Sequence, residues 1–118
     1  MKRTILQGEV YVCDLSNDAV GSEQKGKRPC VVIQLDILNR TSSNVIIVPI
    51  TSRPKKKLPT HIILDKENYD FLFYKHNTVL CENIRSISKD RLGKLIGRIT
   101  DSDLKKILKA KDYAFIEL

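Results

Sequence analysis

Apolar and polar positions along this chain follow two different rhythms. From Glu9 to Leu15 they alternate, with Val10 and Val12 on one face and Tyr11, Cys13 and Leu15 on the other, which predicts a half-buried strand. Pro29 to Asp36 and Asn44 to Thr51 are near-continuous β-branched or aliphatic runs and read as central strands. Thr60–Leu64 and Thr78–Glu82 read as further strands. The rhythm then changes. Ser88 to Leu92 suits a single helical turn, followed by a short Leu95–Ile99 segment. Thr100-Asp101-Ser102-Asp103 resembles a capping box, and Leu104, Ile107, Leu108 and Lys111 follow at helical spacing, only the last of them polar.

Five or six short strands and one strong C-terminal helix do not make an alternating βαβ pattern. The better reading is a mainly β fold, a small and strongly bent barrel with short helices and a C-terminal α-helix packed on it. The 118 residues are enough to bury a core without disulfide or metal staples, so one domain spanning 1–118 is expected. No apolar run approaches the ~20 residues of a membrane span. The N-terminus is basic at Lys2 and Arg3 but lacks the apolar stretch of roughly 7 to 15 residues that a secretory signal needs, which points to the cytoplasm. Cys13, Cys30 and Cys81 each sit in strand-like apolar surroundings, with no C-x-x-C pair and no histidine at ligand spacing. They read as reduced core residues, with no metal and no cofactor expected.

Charge changes the picture. Between Lys25 and Lys57 stand eight cations, Lys25, Lys27, Arg28, Arg40, Arg53, Lys55, Lys56 and Lys57, against one acid, Asp36. The rest of the chain is balanced, so this segment holds the whole net charge of +7. Such a concentration, on loops around two strands, suits a polyanion; a solvated basic face serving solubility is the alternative. The segment overlaps the polar loop Gly21-Ser22-Glu23-Gln24-Lys25-Gly26-Lys27-Arg28-Pro29, where a hydroxyl, a carboxylate, an amide and cations precede a buried strand.

That loop carries a resemblance. Gly21-Ser22-Glu23-Gln24 with Lys27-Arg28-Pro29 is similar to the signature of the MazF/PemK family of toxin endoribonucleases. Further motifs follow in order: Gly8-Glu9-Val10-Tyr11 with Asp14-Leu15, Arg28 through Gln34, Val48-Pro49-Ile50-Thr51, Leu58-Pro59-Thr60-His61 and Cys81-Glu82-Asn83-Ile84-Arg85. The resemblance covers nearly the whole chain. It implies an SH3-like barrel of the CcdB/PemK type, a homodimer, and an endoribonuclease (mRNA interferase). Such an enzyme cleaves single-stranded RNA at short sequences without metal, leaves a 2',3'-cyclic phosphate and a 5'-hydroxyl, and so inhibits translation and growth. It also implies restraint by a cognate MazE-like antitoxin, whose acidic C-terminal segment would suit the basic groove.

Metal-free RNA cleavage uses the ribose 2'-hydroxyl as internal nucleophile. The protein must then assist proton removal, stabilise the charged phosphorane and protonate the departing 5'-oxygen. Arg28, with a planar fork and a permanent charge, suits phosphate stabilisation and is a poor proton acceptor; pairing with Glu23 on the surface is its structural alternative. The resemblance makes Arg28 central to catalysis and Thr51 its partner. Glu23 can orient Arg28 or accept the 2'-proton. Lys27 stands where some relatives carry histidine, which shifts weight from proton shuttling to electrostatics. Which group takes the proton stays open.

Ser22, Gln24, Lys27, Arg53, Lys56, His61 and Asn83 complete the expected RNA-binding set. Ser22 is equally a turn residue, and His61 either lines the groove or is only a strand-edge histidine. Arg53 and Lys56 lie in the loop after the third strand, where base specificity would be set. Asn83 stands where relatives often have glutamine, so base contacts are expected there. Among Tyr69, Phe71, Phe73 and Tyr74, core packing accounts for at least two, and one at most serves as a stacking platform for RNA bases. Two other classes remain beside the nuclease: a CcdB-like toxin directed at gyrase, for which Arg28 and the basic loop would have no task, and a non-catalytic RNA-binding module.

Overall fold

The structure, a computed structural model, describes residues 4–15 and 26–115. Seven strands form one sheet: β1 (Glu9–Asp14), β2 (Lys27–Val32), β3 (Asn44–Thr51), β4 (His61–Ile63), β5 (Thr78–Leu80), β6 (Arg85–Ser88) and β7 (Leu92–Arg98). Two helices join them, α1 (Asp36–Thr41) and α2 (Asp101–Ala110). The hydrogen-bonded path runs β4-β5-β3-β2-β1-β7, with β6 on β3. The mainly β fold with a C-terminal helix is the one expected, but in detail the path stays open, ending at β4 and β7, and does not close into a barrel.

β3 is the hub. Its first four residues pair with β6, from Asn44↔Ser88 to Ile47↔Arg85, and its last two with β5, Ile50↔Val79 and Thr51↔Thr78. Pro49, which has no N–H for a ladder, falls where β3 has left β6 and not yet met β5. On its other side β3 pairs with β2 through Cys30↔Pro49, Val31↔Val48 and Val32↔Ile47.

The middles of the central strands, Cys30–Val32 and Val45–Ile50, are apolar because both faces of the sheet are covered there. Val10, Val31, Val48, Ile50 and Val79 join a core completed by Ile107 and Ala110 of α2 and by Tyr69 and Leu72. Tyr11, Cys13, Leu15, Cys30, Val32, Val45 and Ile47 join a second core with Ile5, Ile87 and Leu92. The alternation in β1 holds for Val10 in one core and Tyr11 and Cys13 in the other, with Leu15 just past the strand in the second core; Val12, expected beside Val10, is half-buried and belongs to neither core. All three cysteines are free and buried.

Helix α2 begins as its sequence announces. Thr100 Oγ1 accepts the Asp103 N–H at 3.1 Å, which caps the first turn. The reciprocal half of a capping box is absent, and Tyr69 takes its place: its hydroxyl accepts the Thr100 N–H at 3.1 Å and donates to Asp103 Oδ2. The turn expected at 88–92 is a 3₁₀ turn over Lys89–Arg91, capped by Ser88.

Other boundaries differ. The run to Asp36 was expected to be strand throughout, yet β2 ends at Val32 and Asp36 opens α1. Six residues cannot hold a helix by themselves. This one is tied by a buried pair, in which Gln34 Nε2 donates to Asn39 Oδ1 at 3.0 Å and Asn39 Nδ2 returns a bond to the Gln34 carbonyl at 2.9 Å. The strand expected over Thr78–Glu82 stops at Leu80, and Cys81–Asn83 forms a 3₁₀ turn. Residues 92–98 are the edge strand β7, and no helix among the described residues is long and apolar enough to cross a membrane.

Candidate active site

β2 delivers Arg28 and Lys27 to the surface. Gly26, at φ 82°, turns the chain into this strand through a conformation that favours glycine, and its carbonyl accepts the Leu15 N–H at 3.0 Å. β2 and β3 pair as far as Cys30↔Pro49, and Arg28 and Thr51 each stand two residues beyond that pair on its own strand. The two strand ends that the resemblance singles out thus belong to adjacent strands, although 23 positions separate them in the sequence.

Arg28 is half-buried and lines a hollow of about 190 Å³ with Lys27, Pro29, Ile50, Ser52, Phe71, Leu72, Phe73, Tyr74 and Asn77. No acid is among these residues, so the hollow presents cations beside rings and small polar groups. Thr51 lies behind this surface, 1% exposed. Its Oγ1 accepts the Arg53 N–H at 3.2 Å, which leaves the hydroxyl proton to donate.

The loop from Ser52 to Leu58 leads on to a second hollow of about 350 Å³, where Lys55, Lys56, His61, Glu82 and Asn83 meet Leu58 and Leu80. His61 is the organising residue. Its Nε2 lies 2.8 Å from Glu82 Oε2 and its Nδ1 2.9 Å from the Lys56 carbonyl, so it ties β4 to the 3₁₀ turn and to the basic loop. Burial alone would raise the Glu82 carboxyl; hydrogen bonds from His61, its own backbone and Thr60, together with the charge of His61, outweigh it and hold the group below its ordinary value.

The expected site residues therefore fall into three sets. Lys27 and Arg28 share the first hollow, with Thr51 behind it; Lys56, His61 and Asn83 share the second; Arg53 is exposed between them. Ser22, Glu23 and Gln24 lie outside the described residues. Arg40, counted with the basic segment, sits apart on α1 at a larger hollow of about 890 Å³ with Thr4, Asn39, Lys89 and Asp90. That hollow gathers none of the expected site residues, and Lys89 Nζ there is already bonded to the Asn39 carbonyl.

Cys30 and Cys81 are held in the thiol form. Burial, with the charge of Glu82, pushes Cys81 up to about 12, and a hydrogen bond with Cys13, burial and the charge of Cys13 raise Cys30 well above its ordinary value. Among the described residues, no three His, Cys, Asp or Glu side chains gather as a metal site would require.

The family model for PemK-like, MazF-like toxins of type II toxin-antitoxin systems matches residues 6–112. The chain belongs to this family. Among its relatives, endoribonuclease EndoA of Bacillus subtilis is 43% identical over 104 residues, 87% of each chain. Endoribonuclease MazF of Staphylococcus saprophyticus is 40% identical over 107 residues, 90% of this chain and 87% of the relative. A solved mycobacterial endoribonuclease in complex with its cognate antitoxin superposes with a TM-score of 0.75 at 29% identity, covering 94% of both chains. In this PemK/MazF toxin the partner of His61, Glu82, stands 21 residues away in the sequence, and its place beside Asn83 in the Cys81–Arg85 motif is the one sign of it that the sequence carries.

Proposed function

We propose that this protein cuts single-stranded RNA without metal, at short specific sequences, through attack of the ribose 2'-hydroxyl on the adjacent phosphorus. The new P–O2' bond forms as the P–O5' bond breaks, leaving a 2',3'-cyclic phosphate and a 5'-hydroxyl. The protein is an endoribonuclease of a toxin-antitoxin system; the reading of its chemistry rests on Arg28, half-buried beside Lys27 in a hollow with no acid among the described residues that line it, and on Thr51, which like Arg28 stands two residues beyond the Cys30↔Pro49 pair of the β2–β3 ladder. A guanidinium so placed can bind two phosphate oxygens and stabilise the charge that grows on them in the transition state. Thr51 serves the same phosphate through its hydroxyl proton, while its oxygen holds the start of the 52–58 loop. Glu23 is the candidate acceptor of the 2'-proton. Ser22, Gln24, Arg53, Lys56, His61 and Asn83 bind flanking nucleotides, with Lys27 supplying charge.

The cognate antitoxin lays an acidic segment over the same cations and so competes with RNA. The toxin acts as a homodimer in the cytoplasm, where its RNA substrate and a reducing environment for three free thiols are found.

The test is incubation of the purified protein with a diverse single-stranded RNA in EDTA, with sequencing of the 5'-hydroxyl ends. Arg28→Ala should lower the rate about 10²- to 10³-fold with an unchanged melting temperature. Intact RNA after exposure to folded wild-type protein, or full activity in Arg28→Ala, would overturn the assignment.

A further inference from the structure

From Tyr69 to Asn77 the chain is tied down at both ends and exposed in the middle. Tyr69 is buried and bonded through its hydroxyl to Thr100 and Asp103. The ring of Phe71 lies on Gly97 of β7 so closely that a Cβ there would stand 2.2 Å from Phe71 Cδ1. Leu72 enters the core. On the other side Asn77, itself buried, donates Nδ2 to the Tyr74 carbonyl at 2.8 Å and accepts the Leu64 N–H on its own carbonyl at 2.8 Å. Between these anchors Phe73 is 82% exposed and Tyr74 65%.

Two large rings held in water on an anchored segment contribute nothing to the core. They border the hollow that contains Lys27 and Arg28 and, among the described residues, no acid. Cations beside exposed rings form the surface that single-stranded nucleic acid uses, phosphates on the charges and base faces on the rings. We infer that Phe73 and Tyr74 are a base-stacking subsite, which takes an unstacked base next to the phosphate held by Arg28. The subsite rests on the RNA-cleaving reading for its purpose, but its occupancy can be measured without cleavage. Phe71 and Gly97 are its positioning residues. An acidic peptide would also seek Lys27 and Arg28, but it has no need of two exposed π-faces.

The probe is a single-stranded oligonucleotide of 2'-deoxynucleotides with 2-aminopurine at scattered positions. It lacks the internal nucleophile, so loss of cleavage and loss of stacking are read separately. Wild-type protein should quench the 2-aminopurine on binding. In Phe73→Ala/Tyr74→Ala the quenching should disappear and binding weaken roughly 5- to 150-fold, the range for one lost base–aromatic stack. Phe73→Trp and Tyr74→Trp should keep both. Both rings are exposed, so the truncations leave the fold standing, which the melting temperature checks. Wild-type binding and quenching by the double alanine variant would overturn the subsite. So would loss of affinity for an acidic antitoxin peptide with oligonucleotide binding unchanged, because the rings would then serve a protein partner.

Discussion

His61 holds Glu82 by Nε2 at 2.8 Å and the Lys56 carbonyl by Nδ1 at 2.9 Å, so one imidazole faces an oxygen acceptor on each side. A neutral ring has a single N–H and can satisfy only one of them. The arrangement couples the position of a basic loop to a carboxylate in the neighbouring turn, and its consequence is a pH dependence. Because the folded-state pKa of Glu82 is lowered, the pair contributes stability that is present above the unfolded carboxyl value of about 4.3 and is lost as pH falls through the folded value. Urea midpoints measured from pH 7 to pH 3 should therefore fall less steeply in Glu82→Gln than in wild type. Partial exposure of Glu82 keeps the difference small. Identical acid limbs would show that the pair does not stabilise the fold.

Thr51 offers a separate check on the proposed pairing of Arg28 and Thr51 in catalysis. Thr51→Ser retains the oxygen that accepts the Arg53 N–H and the proton that can be donated, so cleavage should stay within a few-fold of wild type. Thr51→Val keeps shape and burial but removes both. We expect it to cleave at least about 10²-fold more slowly, at a stability cost of about 1 kcal/mol. Equal rates for the two variants would exclude the hydroxyl from the reaction.

Gly97→Ala should destabilise the protein by about 1–3 kcal/mol through overpacking, because the added methyl meets the Phe71 ring. Phe71→Ala removes the obstacle. A double-mutant cycle should then show that the glycine substitution costs less in the Phe71→Ala background than in wild type. Additive costs would mean that the ring does not rest on β7.

Tyr69→Phe removes the hydroxyl that bridges Thr100 and Asp103 at the start of α2 and should cost about 1–2 kcal/mol. Burial and the hydrogen bond to Asp103 raise the Tyr69 pKa. A group whose folded value is raised contributes stability that is complete below its unfolded value, about 10, and lost as pH rises through the folded one. Wild type should therefore lose stability above pH 10 more steeply than Tyr69→Phe, as read from denaturant midpoints.

Binding of single-stranded RNA should weaken linearly with the logarithm of salt concentration. Each of Lys27→Ala, Arg28→Ala and Lys56→Ala should reduce the slope by about 0.7 if its cation neutralises one phosphate. Arg40→Ala, at the separate hollow on α1, should leave the slope unchanged.

Where a structural device is local, the order of residues made it legible. The alternation of β1, the apolar run of β3 and the Thr100 cap of α2 depend on neighbours a few positions apart and appear where the pattern places them, while β2 appears with shifted ends, Lys27–Val32. The family was legible too, because its motifs recur in order along the chain.

What tertiary structure alone decided is long-range. α1 exists through the buried Gln34–Asn39 pair, which leaves no helical period to read. Four neighbouring aromatics divide into a buried Tyr69, a Phe71 seated on Gly97 and two rings left in solvent, a division set by what β7 and α2 bring against them. One basic segment separates into a hollow at Arg28 bordered by aromatic rings, a second organised by His61 and Glu82, and Arg40 at a separate hollow. The residues and their charges were fixed by the chain; which of them share a surface was set by strand register and packing between distant segments.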